Sequence, residues 1–357
     1  MLYFNILVFF ISALCLAGCA GFGPTTVSRD RFDYTEAISD SWKKHTLLNM
    51  VKIRYADAPV FLDVSSVISQ YQVGGQINLG ATINNDPWSS AQSLGAAGQY
   101  IDRPTITYAP LMGDRFARSL MAPIPPPAIL SLIQGGYPVD LVFRVMVQEV
   151  NGIRNRFGGA ARVQGADPEF EALVGKMRKI QSAGNIGLRI TAKSKDKEQA
   201  AVMVLRAPRD PETESLSAEV RKILGLDPAA NEFNVVYGAI PRNKQEIAIL
   251  TRSFLEIIID QAASIEVPEA HVAEKRVIPT FVEKTTTGEK IPPLIRIQSS
   301  REKPEDAFIW VRYRNIYFWI DDRDPKSKGL FSFLLFISTL VETGEKGPAP
   351  VVTIPTN

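Results

Sequence analysis

Cysteine and histidine are both scarce in this 357-residue chain, and their scarcity excludes several kinds of site. The two cysteines are Cys15 and Cys19, and the two histidines are His45 and His271. A zinc site with three histidine ligands is therefore excluded, and residues beyond 19 offer no thiolate ligand. The motifs of phosphate loops, dinucleotide-binding loops and α/β-hydrolase elbows are also absent. No sequence motif identifies a reaction.

The N-terminus contains the longest uncharged apolar run of the chain. Residues 2–16 carry no charged side chain, and small residues follow them. A membrane-spanning helix needs about 20 apolar residues, so this run is short for a span and typical of a secretory signal peptide. The sequence therefore predicts a signal peptide at residues 1–18. The alternative is an uncleaved anchor, since no lysine or arginine precedes the run.

Four residues at the end of this run, Leu16-Ala17-Gly18-Cys19, resemble the lipobox of bacterial lipoproteins. The resemblance implies cleavage before Cys19, with a diacylglycerol on the thiol and an acyl chain on the freed amino group. Several chains on one residue form a durable anchor, whereas one chain binds a membrane only marginally. In enteric lipoproteins, an aspartate directly after the lipidated cysteine signals retention in the inner membrane, so by this resemblance Ala20 at that position implies the periplasmic side of the outer membrane. Cys15 would then be removed with the signal peptide and Cys19 would carry the lipid, so the mature chain would have no free thiol.

The composition of the remaining chain indicates a globular body. Basic and acidic side chains are nearly balanced at 40 and 38, which disfavours nucleic acid as a partner. Hydrophobic residues form 45% of the chain, enough for a large core. We expect a lipidated tether at 19–33, followed by α+β regions at 34–160 and 161–357. The glycine-rich stretch 156–167 suggests that boundary, although one continuous domain is the alternative.

The apolar pattern predicts secondary structure along most of the body. Helical spacing predicts a helix over 34–54. Alternation over 64–83, with Gly74-Gly75 in its middle, predicts a β-hairpin that turns at the glycines. The polar stretch 84–99 reads as a surface loop. Apolar residues over 244–263 predict one long helix.

The C-terminal part gives the clearest local signals. Residues 307–320 are predicted to form a β-hairpin that turns at Arg314-Asn315, because Asn tolerates positive φ. Asp324 and Pro325 are typical of a helix start, and the following apolar run ends near 341. That run is too short to span a bilayer, so it is a core helix or an interfacial one. The predicted fold class is α+β, with antiparallel hairpins packed against groups of helices.

Two sets of side chains are candidates for catalysis. Asp321, Asp322 and Asp324 follow a predicted strand, where carboxylates serve as acid and base or bind a hard cation. The alternative is structural, since Asp324 also suits a helix cap. His271 is the second candidate. It can pair with a neighbouring glutamate, Glu269 or Glu274, or act as a base for Ser253.

Two further sets are candidates for binding. Arg154, Arg156 and Arg162, close to Arg144, can contact an anionic glycan or a phosphate; the alternative is that each is paired or solvated. Strand alternation places Trp310 and Arg312 on one face of the C-terminal hairpin, with Ile309, Val311 and Tyr313 on the other. An exposed aromatic face would mark an interface, whereas burial of both faces would make it core.

Two longer stretches, residues 40–71 and 317–336, resemble an uncharacterised family of proteobacterial envelope lipoproteins. The resemblance implies a place in the cell envelope without implying an activity. The leading hypothesis is a membrane-anchored periplasmic binding or assembly module for an envelope protein or glycan. The alternative is a periplasmic hydrolase of envelope material that uses the Asp321–Asp324 cluster or His271. No metal or cofactor is expected besides the lipid on Cys19.

Overall fold

A computed structural model describes most of the body of the chain. The described stretches are 22–68, 71–82, 91–102, 105–110, 120–159, 163–190, 201–206, 210–284 and 288–341. The predicted signal peptide, the lipidation site Cys19 and the candidate anion contact Arg162 lie outside these stretches.

Helices and strands alternate in groups along the described chain. The helices are α1 (Phe22–Arg54), α2 (Pro126–Gln134), α3 (Val139–Met146), α4 (Pro168–Ser182), α5 (Pro211–Leu224), α6 (Phe254–Ala262), α7 (Glu269–Ala273) and α8 (Pro325–Val341). The strands are β1 (Leu62–Ile68), β2 (Tyr71–Thr82), β3 (Ala91–Asp102), β4 (Thr105–Pro110), β5 (Val147–Val150), β6 (Ile153–Arg154), β7 (Ile186–Ile190), β8 (Ala201–Leu205), β9 (Glu232–Tyr237), β10 (Glu246–Thr251), β11 (Gln298–Ser300), β12 (Ala307–Tyr313) and β13 (Ile316–Asp321). The predicted α+β class is confirmed.

The described residues form two compact units. The larger unit contains those up to Pro59 and those from Pro123 to Leu340, and the smaller contains those from Val60 to Ala122 together with Val341. The larger unit holds a six-stranded sheet in the order β6-β5-β10-β9-β8-β7, with a parallel β9–β10 pair and antiparallel neighbours elsewhere. A second sheet in this unit has the order β11-β13-β12.

Large apolar side chains fill the core of the larger unit. Phe143 and Phe170 lie on helices, Phe233 lies on a strand of the six-stranded sheet, and Phe318 lies on the three-stranded sheet. Each is almost completely buried, and full burial of such a side chain contributes roughly 1.5–3 kcal/mol. One apolar core thus supports both sheets and the helices around them.

The predicted boundary between residues 160 and 161 falls inside this unit. Strands β5 and β6 precede that position, and β7 to β10 follow it, yet all six belong to one sheet. The frequent glycines near the position mark a connection that returns to this sheet. Glycine content reports only on the local chain, whereas the pairing of β5 with β10 joins residues far apart in sequence and could not be read from it. The described units therefore divide the chain differently from the prediction.

The first helix is longer than the sequence pattern indicates. Helix α1 begins at Phe22 and includes most of the predicted tether at 19–33. From Phe32 onward, its apolar face becomes buried only near the C-terminal end, at Leu47, Met50 and Val51. An amphipathic pattern arises only where a helix packs against the core, so the sequence indicated only that part of α1.

The predicted helix over 244–263 is wrong in its first part. Residues 246–251 form strand β10, which lies between β5 and β9. A central strand is buried on both faces and reads as a continuous apolar run, which resembles a buried helix. Helix α6 then starts after Ser253, whose hydroxyl accepts a hydrogen bond from the Glu256 backbone N–H, while the Glu256 carboxylate accepts one from the Ser253 N–H. This capping box was the local signal for the helix start.

The smaller unit consists of two antiparallel strand pairs, β1–β4 and β2–β3. The predicted hairpin over 64–83 is wrong, because β2 continues through Gly74 and Gly75, which pair with Gln99 and Gly98. The predicted loop over 84–99 is wrong as well for its described part, since residues 91–102 form β3. The glycines that suggested a turn are part of a long ladder.

The C-terminal predictions are confirmed. Strands β12 and β13 form a hairpin, and Arg314 and Asn315 have φ of 49° and 64° at its turn. Helix α8 starts at Pro325, and its residues Phe331 and Leu334 are fully buried, as expected for a core helix. Among the described helices, none combines the length and the apolar character needed to cross a bilayer.

Candidate functional site

The three-stranded sheet has one buried face and one partly exposed face. Ile309, Val311, Phe318 and Ile320 are buried on the face that helix α1 covers, where the Tyr55 ring lies 6.1 Å from that of Phe318. The opposite face presents Trp310, Arg312, Tyr317 and Trp319. We call these four residues the aromatic face. The alternation predicted for Trp310 and Arg312 is therefore confirmed.

Strand register brings the members of the aromatic face together. Trp310 pairs across the ladder with Trp319, and Arg312 pairs with Tyr317. The Trp310 and Tyr317 ring centroids are 5.6 Å apart. All three aromatic side chains are partly exposed, and Arg312 is exposed. The three aromatic rings therefore form one partly exposed apolar surface on this sheet.

Two cations lie on the rings of this face. The Lys303 Nζ is 4.9 Å from the centre of the Trp310 ring, and the Arg312 guanidinium is 5.7 Å from that of Tyr317. Neither forms an ion pair with a carboxylate in the described part of the chain. The Arg312 Nη2 donates only a 3.2 Å hydrogen bond to Asn315 in the turn. Both cations therefore keep charge that an anion can use.

A shallow pocket adjoins the aromatic face. It has a volume of about 460 Å³ and is lined by Lys303, Pro304, Glu305, Ala307 and Trp310. Ligand pockets commonly have volumes of about 300–1,000 Å³, with a few polar groups among apolar ones. The pocket offers one ring face, one cation and one carboxylate to a ligand.

The carboxylates of the Asp321–Asp324 cluster each have a local partner. Asp324 accepts hydrogen bonds from the Ser327 backbone N–H at 3.1 Å and its hydroxyl at 2.6 Å, which lowers the pKa of Asp324. Asp321 accepts one from the Arg323 backbone N–H at 2.8 Å.

Asp322 pairs with Lys328 at 2.7 Å. Within the described residues, no three His, Cys, Asp or Glu side chains are arranged to hold a metal ion. The cluster therefore works as a helix cap with flanking ion pairs.

His271 contacts a tyrosine rather than the partners that the sequence suggested. Its Nδ1 lies 2.7 Å from the Tyr55 hydroxyl, and the two rings meet edge to face. Burial raises the pKa of Tyr55. Beside it, the Tyr313 hydroxyl donates to Asp57 at 2.6 Å, and the Arg314 guanidinium covers both tyrosine rings. This cluster joins the end of α1, helix α7 and the turn of the β12–β13 hairpin.

The other members of the proposed histidine site have separate roles. The Ser253 hydroxyl donates to Glu256 at 2.9 Å in the capping box of α6. Glu274 forms an ion pair with Arg276. The structure therefore does not assemble Ser253 or Glu274 with His271 into a hydrolytic group.

The described arginines of the predicted anion site hold carboxylates of their own chain. Arg144 donates to Glu171 at 2.9 Å, and the Arg154 backbone N–H donates to Asp167 at 2.8 Å. Arg156 is buried, at 6% exposure, and cannot meet a ligand from solvent. The prediction of an arginine patch is therefore wrong for Arg156, because folding turns its side chain into the core.

A buried charge network around Arg156 escaped the sequence analysis. The Arg156 Nη2 donates to Asp260 at 3.3 Å, and its Nη1 donates to Glu283 at 3.3 Å. The fully buried Arg252 donates to Asp260 at 3.4 Å. Burial lowers the pKa of Arg252, and the charge of Asp260 opposes this effect. The sequence signal that could have revealed this network is a charged residue inside an apolar run, which occurs at Arg252 and again at Asp260.

Comparison with known proteins adds no assignment to this geometry. No protein-family model matches the chain, and neither the curated proteins nor the solved structures contain a match.

Proposed function

We propose that this chain is an envelope lipoprotein, anchored through Cys19 to the periplasmic side of the outer membrane, which binds an acidic envelope glycan. The aromatic face and the adjoining pocket form the binding surface, and the chain performs no catalysis there. The observation that carries the proposal is the row of Trp310, Tyr317 and Trp319 beside two cations that have no carboxylate partner among the described residues.

The chemistry of a sugar ring suits this surface. A pyranose has a C–H face with slight positive charge, and the face of an aromatic ring is electronegative, so the two stack. Hydroxyl groups at the edge of the sugar can bond to Glu305 and to the cations. A carboxylate or phosphate on the glycan forms a charge-assisted hydrogen bond with Lys303 or Arg312. Lys303 would then move from the Trp310 ring to the anion, which uncovers the ring for stacking.

The anchor rests on the Leu16–Cys19 motif, and it is tested separately from the binding site. Cells that express the full chain are grown with radiolabelled palmitate, and the protein is examined for label and for size. We expect label and a shortened chain for the original sequence, and neither for Cys19→Ala. An unlabelled original chain would remove the lipoprotein part of the proposal and leave the glycan site standing.

The binding site is tested by calorimetry on the purified full chain. The probes are an oligosaccharide with carboxylate groups and its carboxyl-reduced, neutral form of equal length. We expect Trp310→Ala to weaken binding of the acidic probe at least tenfold, since a stacked aromatic contributes about 1.4 kcal/mol or more. Arg312→Gln should weaken the acidic probe and leave the neutral one unchanged.

The matched control is Trp42→Ala, which removes an aromatic side chain that is 41% exposed on helix α1. It should leave binding of both probes unchanged. Equal losses for Trp42→Ala and Trp310→Ala, or no binding of either probe by the original chain, would overturn the glycan proposal.

A further inference from the structure

The smaller unit contains a long two-stranded ribbon, formed by β2 and β3. Strands β2 and β3 pair without interruption from Tyr71 with Asp102 to Thr82 with Ala91. Strands β1 and β4 form a separate pair, in which Ile68 pairs with Thr105. At about 3.3 Å per residue, the 12-residue arms β2 and β3 extend for roughly 40 Å. Such a ribbon is much longer than an ordinary hairpin of a globular domain.

Within the described part of the chain, both long edges of this ribbon lack a strand partner. No other described strand pairs with β2 or β3. The outward backbone N–H and C=O groups of each arm therefore have no ladder partner among the described strands. An isolated two-stranded hairpin is marginally stable in water, because half of its backbone groups face no strand. The ribbon thus presents two templates for further β-pairing.

The sequence of β2 and β3 has almost none of the features that protect an open edge, since Asp102 at the end of β3 is the one charged residue in these two strands. Natural edge strands carry lysines, prolines, inward charges or bulges that prevent pairing with other chains. From Tyr71 to Thr82, and from Ala91 to Ile101, there is no Asp, Glu, Lys, Arg or Pro. The β2–β3 register also has no bulge. Two unprotected edges of this length indicate that the edges are used.

We propose that the ribbon pairs with the ribbons of other copies of this chain, with β2 of one copy beside β3 of the next. The two arms of a ribbon are antiparallel, so this contact continues the antiparallel pattern across copies. A foreign strand would cover one edge and leave the other open, whereas a repeated contact between copies satisfies both edges with one interface. Such an interface is heterologous, and it builds an assembly of several copies. The inference does not depend on the glycan proposal.

Cysteine cross-linking tests which strands are neighbours. The parent is the purified full chain with Cys15→Ser and Cys19→Ser, which contains no other cysteine. One tagged population carries Asn78→Cys on β2, and a second, differently tagged population carries Ser93→Cys on β3. The two are mixed and treated with a short bismaleimide. We expect a cross-linked product that carries both tags, at least tenfold more abundant than the product of either population alone.

The control is Glu212→Cys, an exposed position on helix α5 of the larger unit, mixed with the Ser93→Cys population. It should give no more product than the parent chain. Equal cross-linking of Asn78→Cys and Glu212→Cys to Ser93→Cys would show random association and overturn the proposal. Absence of a product with both tags would also overturn it.

Light scattering gives an independent measure of assembly. The parent chain should form a species of several copies, and Asn78→Lys with Ser93→Lys should convert it to a monomer, because both edges then carry charge. Asn78→Gln should keep the assembly. A parent that is monomeric at every concentration would refute the proposal. Circular dichroism of the full-length lysine variant, whose helical signal comes from the larger unit, verifies that the variant is folded.

Discussion

Removal of the Asp260 carboxylate should be among the most destabilising single changes in the larger unit. This side chain is fully buried, and it accepts hydrogen bonds from Arg156 at 3.3 Å, Arg252 at 3.4 Å and the Gly158 backbone N–H at 2.8 Å. Asp260→Ala leaves Arg156 paired with Glu283 and removes the carboxylate that the buried Arg252 contacts. Breaking a buried ion pair by removing one partner costs about 3–5 kcal/mol.

The loss is expected at the upper end of that range because the site cannot readily admit water. A Cβ placed on Gly158 would lie 2.6 Å from the Ala263 Cβ, so this loop packs tightly on helix α6. Among the described residues, the Nε atoms of Arg156 and Arg252 already have no hydrogen-bond partner. Asp260→Asn tests the charge separately from the hydrogen bonds, because the amide is neutral but keeps one oxygen that accepts hydrogen bonds. We expect Asn to cost less than Ala.

Urea unfolding of the original chain and both variants, followed by circular dichroism, measures these differences. The matched control is Glu232→Ala, which removes an exposed carboxylate that pairs with Arg189 at 3.2 Å. An exposed pair contributes about 0–1 kcal/mol, so the control should unfold almost as the original does. If Asp260→Ala lost no more free energy of unfolding than Glu232→Ala, the buried network would not stabilise the fold and the reasoning would be refuted.

Three further changes test other parts of the larger unit. Asp324→Ala removes the cap of α8 and should lower the free energy of unfolding by about 1 kcal/mol near neutral pH. Because the pKa of Asp324 is lowered in the folded chain, the difference in stability between the original and the variant should vanish as the pH falls through that lowered pKa. Unfolding at several pH values measures this difference. Gly225→Ala should destabilise by roughly 1 kcal/mol because Gly225 has φ of 65° at the end of α5, whereas Gly175→Ala inside α4 meets no neighbour and should stabilise by a similar amount in thermal melts. Tyr55→Phe removes the hydroxyl that contacts His271 and should cost about 1 kcal/mol, and a double variant with His271→Ala should cost less than the sum of the two singles.

The elements that the sequence predicted correctly are those encoded by adjacent residues. Arg314-Asn315 sets the hairpin turn through its own tolerance of positive φ, and Asp324 with Pro325 starts α8 through contacts within one helical turn. These features depend on short-range sterics and hydrogen bonds. For the same reason, the alternation of Trp310 and Arg312 sufficed to place them on one face of their sheet, opposite Ile309 and Val311.

The elements that the sequence predicted wrongly depend on distant partners. Residues 246–251 are a strand because β5 and β9 lie on either side, and their apolar run alone cannot distinguish a central strand from a helix. Gly74 and Gly75 continue a strand because residues 98 and 99 pair with them. The role of Arg156 was likewise hidden, because its carboxylate partners are more than a hundred residues away in sequence.

The structure also explains why the aromatic face is a better candidate site than the polar clusters. Asp324 and the described arginines are engaged within the chain, so their charge already stabilises the fold. The strands that carry the aromatic side chains are held from the opposite face by buried Phe318 and by Tyr55, and the turn is held by the bond of Tyr313 to Asp57. The rings are therefore fixed in position before any ligand arrives, and a ligand loses little binding free energy in ordering them. A partly exposed surface that is ordered in this way readily supports a binding function.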